Sequence, residues 1–142
     1  MQQAWDHYEA VTIRAIEQWD WEEWANLFTE DAVYVEHSEG TFHGRQAIYD
    51  WVTGIMTNAQ VRIWAGFPVR WALIDEDKGW VVCCFINRAK DPGDGLAYEV
   101  DNWSLVKYAG DGKWSSQEDI YNRAEFDVLL KAWFAAKAAA GS

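Results

Sequence analysis

Sulfur chemistry is nearly absent from this chain. Its two cysteines, Cys83 and Cys84, are adjacent in an apolar run. Neighbours on a strand point to opposite faces, so a disulfide between them would be strained. They read as small hydrophobes of a reducing compartment. The three histidines are not spaced as a ligand set, and no metal site is expected. Basic residues are also scarce: 12 Lys and Arg stand against 23 Asp and Glu, for a formal net charge of -11. That balance argues against nucleic acid and anionic membrane surfaces as partners, and mildly against anionic substrates. No stretch approaches the ~18 apolar residues of a spanning helix. The opening Met1-Gln2-Gln3-Ala4-Trp5-Asp6 has neither part of a signal peptide. A cytoplasmic protein is expected. No Gly-rich loop leads from a strand into a helix, so there is no nucleotide-phosphate signature, and no cofactor is expected.

What is present is aromatic. Half of the 142 residues are apolar, and eleven are Trp. This suits one domain over residues 1–142 with one sizeable core. Indole needs both apolar contact and an N–H partner, so several Trp must be half exposed, line a cavity or sit at an interface.

Residues 4–18 read as a helix. Asp20 reads as the N-cap of a second, short helix, with Glu23 as its capping-box partner and Trp21, Trp24, Ala25 and Phe28 at helical spacing. Residues 33–37 alternate as a strand, with Val33, Val35 and His37 on one side and Tyr34 and Glu36 on the other. A third helix runs from Gly44 to about Met56, with Thr57-Asn58-Ala59 as its break. Strands follow at 61–64, 67–74, 80–87, 96–108 and 113–121. Phe67, Val69, Trp71 and Leu73 share a face of the second, and the apolar 80–87 run is expected to be central. Turns at 75–79, 90–95 and 109–112 join them. Residues 123–138 close the chain as a helix. Helices first and last around hairpin-joined strands make an α+β fold: a curved, cone-shaped antiparallel sheet packed on the N-terminal helices. The space between sheet and helices suits a small apolar ligand.

The segments 27–35 (LFTEDAVYV), 40–48 (GTFHGRQAI) and Gly112-Lys113-Trp114 resemble the nuclear transport factor 2-like superfamily, a cystatin-like cone, and its SnoaL-like branch in particular. The resemblance covers roughly residues 5–135. It implies a cofactor-independent acid/base enzyme acting on a small steroid-, terpenoid- or polyketide-like molecule by isomerisation, dehydration, cyclisation or a related elimination. The superfold also hosts hydrolases and non-catalytic binding modules, so function must be argued from the site. The resemblance further implies a homodimer through the outer sheet face.

By the same resemblance, His37 stands where ketosteroid isomerases carry a general-base aspartate. Glu17 falls near an acidic residue of the first helix in dehydratase-like members, and Asn102 and Ser104 fall at polar positions of the penultimate strand. Trp64 and Phe85 take the approximate places of scytalone dehydratase's two histidines. Ile13 is nearest to the isomerase's oxyanion-hole tyrosine. A gapless match turns Asp119 and Tyr121 inward, whereas apolar content favours the opposite face of that strand, with Trp114, Glu118 and Ile120.

His37 is therefore the expected proton shuttle, Asp119 its orienting carboxylate and Glu17 a second acid/base group. Against this, His37 can be a core imidazole on a backbone carbonyl, and Glu17 and Asp119 can be solvated charge. Asn102, Ser104 and Tyr121 are candidates to bond a substrate oxygen, and Trp24, Trp64 and Phe85 to form cavity wall.

Overall fold

The fold follows from two helical faces and a seven-stranded sheet, seen in a computed structural model that describes residues 1–58 and 62–141. Ala59 of the expected helix break and Val61 of the expected strand lie outside the described residues. Helix α1 (Gln2–Gln18) buries Tyr8, Val11, Thr12, Ala15 and Ile16, a stripe at helical spacing. Trp19 ends it in the left-handed region, φ 54°, its N–H returning to the Ala15 carbonyl. Asp20 does accept from the Glu22 N–H at 3.0 Å at the start of α2 (Glu22–Ala25). The expected capping box does not close, because Glu23 pairs with Arg14 instead (2.6 Å).

Strand β1 (Phe28–Glu36) starts earlier than expected and returns through β2 (Gly40–His43). Gly44, at φ 92°, then opens α3 (Arg45–Thr57). A Cβ there would sit 3.3 Å from the Glu30 carbonyl, so the left-handed conformation and the close approach both favour glycine. The remaining elements are β3 (Trp64–Gly66), β4 (Val69–Asp75), β5 (Trp80–Ala89), β6 (Glu99–Gly110), β7 (Lys113–Ile120) and α4 (Arg123–Ala140). Asp111 and Gly112, both at positive φ, make the β6–β7 hairpin turn. Asn122 caps α4 by accepting from the Ala124 N–H at 3.1 Å.

The strands form one curved, open sheet in the order β2-β1-β7-β6-β5-β3, with β4 also on β5. The apolar β5 is an interior strand, paired on both sides, but it lies next to the β3/β4 edge and exposes Trp80 and Val82 on its outer face, rather than being central and covered on both faces as expected. All pairs are antiparallel except β1 with β7, which run parallel. The helices cover the inner face. Its core is aromatic: Trp5 stacks on Tyr8 at 5.1 Å, and Trp114 meets both edge-on at 6.0 Å.

Two bulges decide which side chains point inward. Val69 pairs with Phe85 but Trp71 with Cys84, so Arg70 is an extra residue on β4. Contrary to the expected shared face, Trp71 and Leu73 turn outward while Val69, Ala72 and Ile74 pack on the core. Trp71 and Trp103 flank Cys84 from either side and meet edge to face at 5.2 Å, which keeps that outer-face thiol buried. On β7, Lys107 pairs with Ser116 and Tyr108 with Trp114, leaving Ser115 as the extra residue. Both alternatives for this strand are thereby partly realised: Trp114 is buried, and so are Gln117 and Asp119 beyond the bulge, while Glu118 and Ile120 face outward.

Candidate active site

Between the sheet and helices α1 to α4 lies a cavity of about 170 Å³. Ten of its twenty lining residues are aromatic, and none is Lys, Arg or His. The inner faces of β1, β7, β6 and β5 supply most of its polar groups. Alternation on β1 buries Ala32, Tyr34 and Glu36, and the parallel register sets Tyr34 beside Gln117 and Glu36 beside Asp119.

The parity expected for β1 is therefore reversed. His37 is on the outer face with Val33 and Val35, its side chain 53 % exposed, and its Nε2 meets Glu118 Oε2 at 2.6 Å. The two valines mark a half-buried outer surface, whereas Tyr34 stays inside because its ring packs on Phe28, Trp24 and Trp51. His37 does not line the cavity, and Asp119 is not its partner. Glu17 is likewise exposed on α1, outside the cavity, because the buried stripe of that helix runs through Ala15 and Ile16 instead. Ile13 is exposed too; the tyrosine that α1 sends to the cavity is Tyr8.

Asp119, by contrast, is at the centre of a buried network. Its Oδ1 accepts from Ser104 Oγ at 2.6 Å and from Gln117 Nε2 at 3.0 Å, and its Oδ2 accepts from the Tyr34 hydroxyl. Gln117 Nε2 also donates to the Tyr34 oxygen (2.9 Å), and Gln117 Oε1 accepts from the Tyr8 hydroxyl (2.7 Å). Burial raises the Asp119 pKa from its ordinary value, and the bonds from Ser104, Tyr34 and Gln117 pull it back only in part. The same burial, with the Asp119 charge nearby, lifts Tyr8 and Tyr34 well above the usual phenol range, so both remain donors. Loss of water thus dominates this carboxyl's titration, while its donors fix its orientation.

Of the residues expected to bind substrate, Asn102, Tyr121, Trp64, Phe85 and Trp24 all line the cavity. Ser104 stands behind it, holding Asp119, with Asn102 Nδ2 at 3.5 Å from its hydroxyl. Tyr121, half buried near the rim, has its pKa pushed up to about 12, first by burial and further by the Glu36 carboxylate, against an opposing bond from Ser38.

Sequence reasoning missed Tyr8, Tyr34, Glu36 and Gln117. For Tyr34 and Glu36 the signal was present in the strand alternation but was assigned to the wrong face. Glu36 is 5 % exposed; its Oε1 accepts a 3.4 Å bond from the Ser38 N–H, the Tyr121 hydroxyl lies close to the carboxylate, and its buried Oε2 has no partner within hydrogen-bond distance. Asn102 Oδ1 is also buried and unpartnered. Among the described residues, no three His, Cys, Asp or Glu converge as metal ligands, and no helix is long and apolar enough to cross a membrane.

A curved sheet closed over helices, with a blind aromatic cavity between them, is the nuclear transport factor 2-like fold. The SnoaL-like domain model matches residues 9–117, and the chain belongs to that family. Similar solved structures include TerC co-crystallised with polyporic acid (TM-score 0.64, 17% identity, 88% of this chain and 96% of that one). Another is a provisionally assigned SnoaL-like polyketide cyclase of Shewanella denitrificans (0.65, 13%, 92% and 96%). A third is a protein of ketosteroid isomerase-like fold from Catenulispora acidiphila, in complex with trimethylamine (0.58, 20%, 76% and 79%). No curated protein sequence matches the chain.

Proposed function

We propose that the chain is a cofactor-independent acid/base enzyme of the lyase or isomerase type, acting on a small molecule inside the cavity, with Asp119 as its proton-transfer group. One observation carries this reading: a carboxylate on the cavity wall, walled by aromatic rings, with its pKa raised and its orientation set by Ser104, Gln117 and Tyr34. A base is most effective when its pKa approaches the working pH and its geometry is fixed before the substrate arrives. Asp119 would take a proton from a carbon or hydroxyl of the substrate and return it at a second atom. Tyr121 and Asn102 would hold the substrate's polar end. The second carboxylate of the cleft is Glu36, register partner of Asp119, in place of the expected Glu17.

The volume supports a substrate of about one ring, since a cavity of roughly 150 Å³ can host benzene. That is smaller than the steroid and polyketide scaffolds the resemblance implies. The test is incubation in D2O with a pool of single-ring enones, hydroxyketones, epoxides and phenols, read by mass spectrometry. The parent protein yields an isomerised, dehydrated or deuterated product, and Asp119→Asn does not.

A second reading, a binding module for a hydrophobic small molecule, rests on the fact that both Asp119 oxygens are already engaged by protein donors. Under it, both proteins return every compound unchanged. Under either reading we propose a homodimer through the outer sheet face, where Leu73, Trp103 and Ile120 are more than half exposed. A monomeric mass in light scattering at high concentration would remove it.

A further inference from the structure

We propose that the ligand of this cavity is a cation: a protonated amine on a single-ring or similarly small apolar body, seated with its N–H donors on Glu36 Oε2 and Asn102 Oδ1. The inference rests on the cavity being the functional site and goes further by naming the charge of what enters it.

Three observations converge. The first is sign. Glu36, Glu39 and Asp119 line the cavity, and no Lys, Arg or His does. Arg123 offsets part of the Glu39 charge at the rim, at 3.9 Å, and otherwise pairs with Asp127 outside. Nothing cationic reaches Glu36 among the described salt bridges. The second is unmet demand. A buried carboxylate oxygen without a donor is costly, and one lines this cavity, as does a buried amide oxygen in the same state. Both are acceptors, so the group that satisfies them brings hydrogens. The unpartnered indole N–H groups of Trp21 and Trp51 in the same wall are donors without formal charge, and only Glu36 adds a charge to its demand. Asp119 makes no such demand, since Ser104, Gln117 and Tyr34 already supply it. The third is the wall. Trp and Tyr rings present negative π-faces that attract an ammonium, and Trp51, Tyr34 and Trp24 form a contiguous set with centroids 4.9 and 6.0 Å apart. A neutral hydroxyl would give the Glu36 oxygen only an uncharged bond, about half as strong as one from an ammonium; an anionic ligand would face three carboxylates.

The test uses three probes of one shape and different charge: benzylammonium, benzyl alcohol and benzoate, titrated at pH 7 by calorimetry and by the protein's tryptophan fluorescence. Benzylammonium is expected to bind at least about tenfold more tightly than benzyl alcohol, through a charge-assisted bond and the aromatic faces, and benzoate not at all. In Glu36→Gln that preference falls severalfold while benzyl alcohol binding persists. An amide oxygen can still accept from the Ser38 N–H and the Tyr121 hydroxyl, the donors near this side chain in the free protein, so the amide is accommodated; the probe series on the parent decides the matter even without the variant. Equal or tighter binding of the alcohol, binding of none of the three, or a preference that survives Glu36→Gln overturns the proposal. Turnover of a neutral compound together with no cation preference would remove this inference and leave the acid/base reading. A cation preference without turnover of any compound would do the reverse.

Discussion

Glu36 and Asp119 are register partners on the two parallel strands of the sheet, and both point into the same aromatic cavity. They are treated differently by the fold. Asp119 is held by three side-chain donors, while Glu36 keeps one buried oxygen free. One carboxylate is thus positioned by the protein and the other is left for something that enters.

The raised pKa of Asp119 gives stability a definite pH dependence. The folded state holds this proton more tightly than the unfolded chain, so the contribution is present at low pH. It is lost as pH rises from the ordinary value of 3.8 through the folded pKa. Chemical denaturation from pH 3 to 8 should show Asp119→Asn gaining stability relative to the parent as pH rises. A constant difference between the two proteins across this range would contradict it. At pH 7 the same substitution lowers turnover of any substrate found by about 10²-fold or more.

His37→Ala should leave both turnover and fold essentially intact. The imidazole sits on the outer face in an exposed pair with Glu118, and such pairs contribute at most about 1 kcal/mol. A substantial loss of rate on a confirmed substrate would mean that the outer face takes part in catalysis.

Gln117→Leu removes the donor shared by Tyr34 and Asp119 and the acceptor of Tyr8 in one step. Stranding those buried groups should cost about 2–3 kcal/mol in a urea melt, far more than an apolar-for-amide exchange at the surface. A change under about 0.5 kcal/mol would show that the network is replaced by water or repacks.

Both thiols should be silent toward a disulfide reagent at pH 8 and react together on unfolding. Cys83 is buried and its pKa is raised by desolvation; Cys84 is sealed on the outer face between Trp71 and Trp103. One fast-reacting thiol in the native protein would show that one of these covers opens.

Much of the fold was legible from sequence because it rests on periodicity and breakers. The helical stripe through Val11 and Ala15, Asp-Gly at the last hairpin and the apolar run of β5 all led to elements that form. The site was harder to read because strand parity is a binary choice. In Val33-Tyr34-Val35-Glu36-His37, the valines mark the half-buried outer surface and the more polar set faces the cavity, so hydrophobicity alone selects the wrong side. The resemblance placed Asp119 and Tyr121 correctly inside, where composition pointed the other way. Glu17 failed for a simpler reason: the helical stripe ends one residue before it.

The extra residue Ser115 divides its strand into two territories with separate duties. Upstream, Trp114 answers to packing; downstream, Gln117 and Asp119 answer to chemistry. Anyone grafting the Gln117–Tyr121 segment onto another sheet must carry Ser115 with it or supply an equal offset. Without one, the transplanted carboxylate is delivered to solvent and Glu118 takes its place inside.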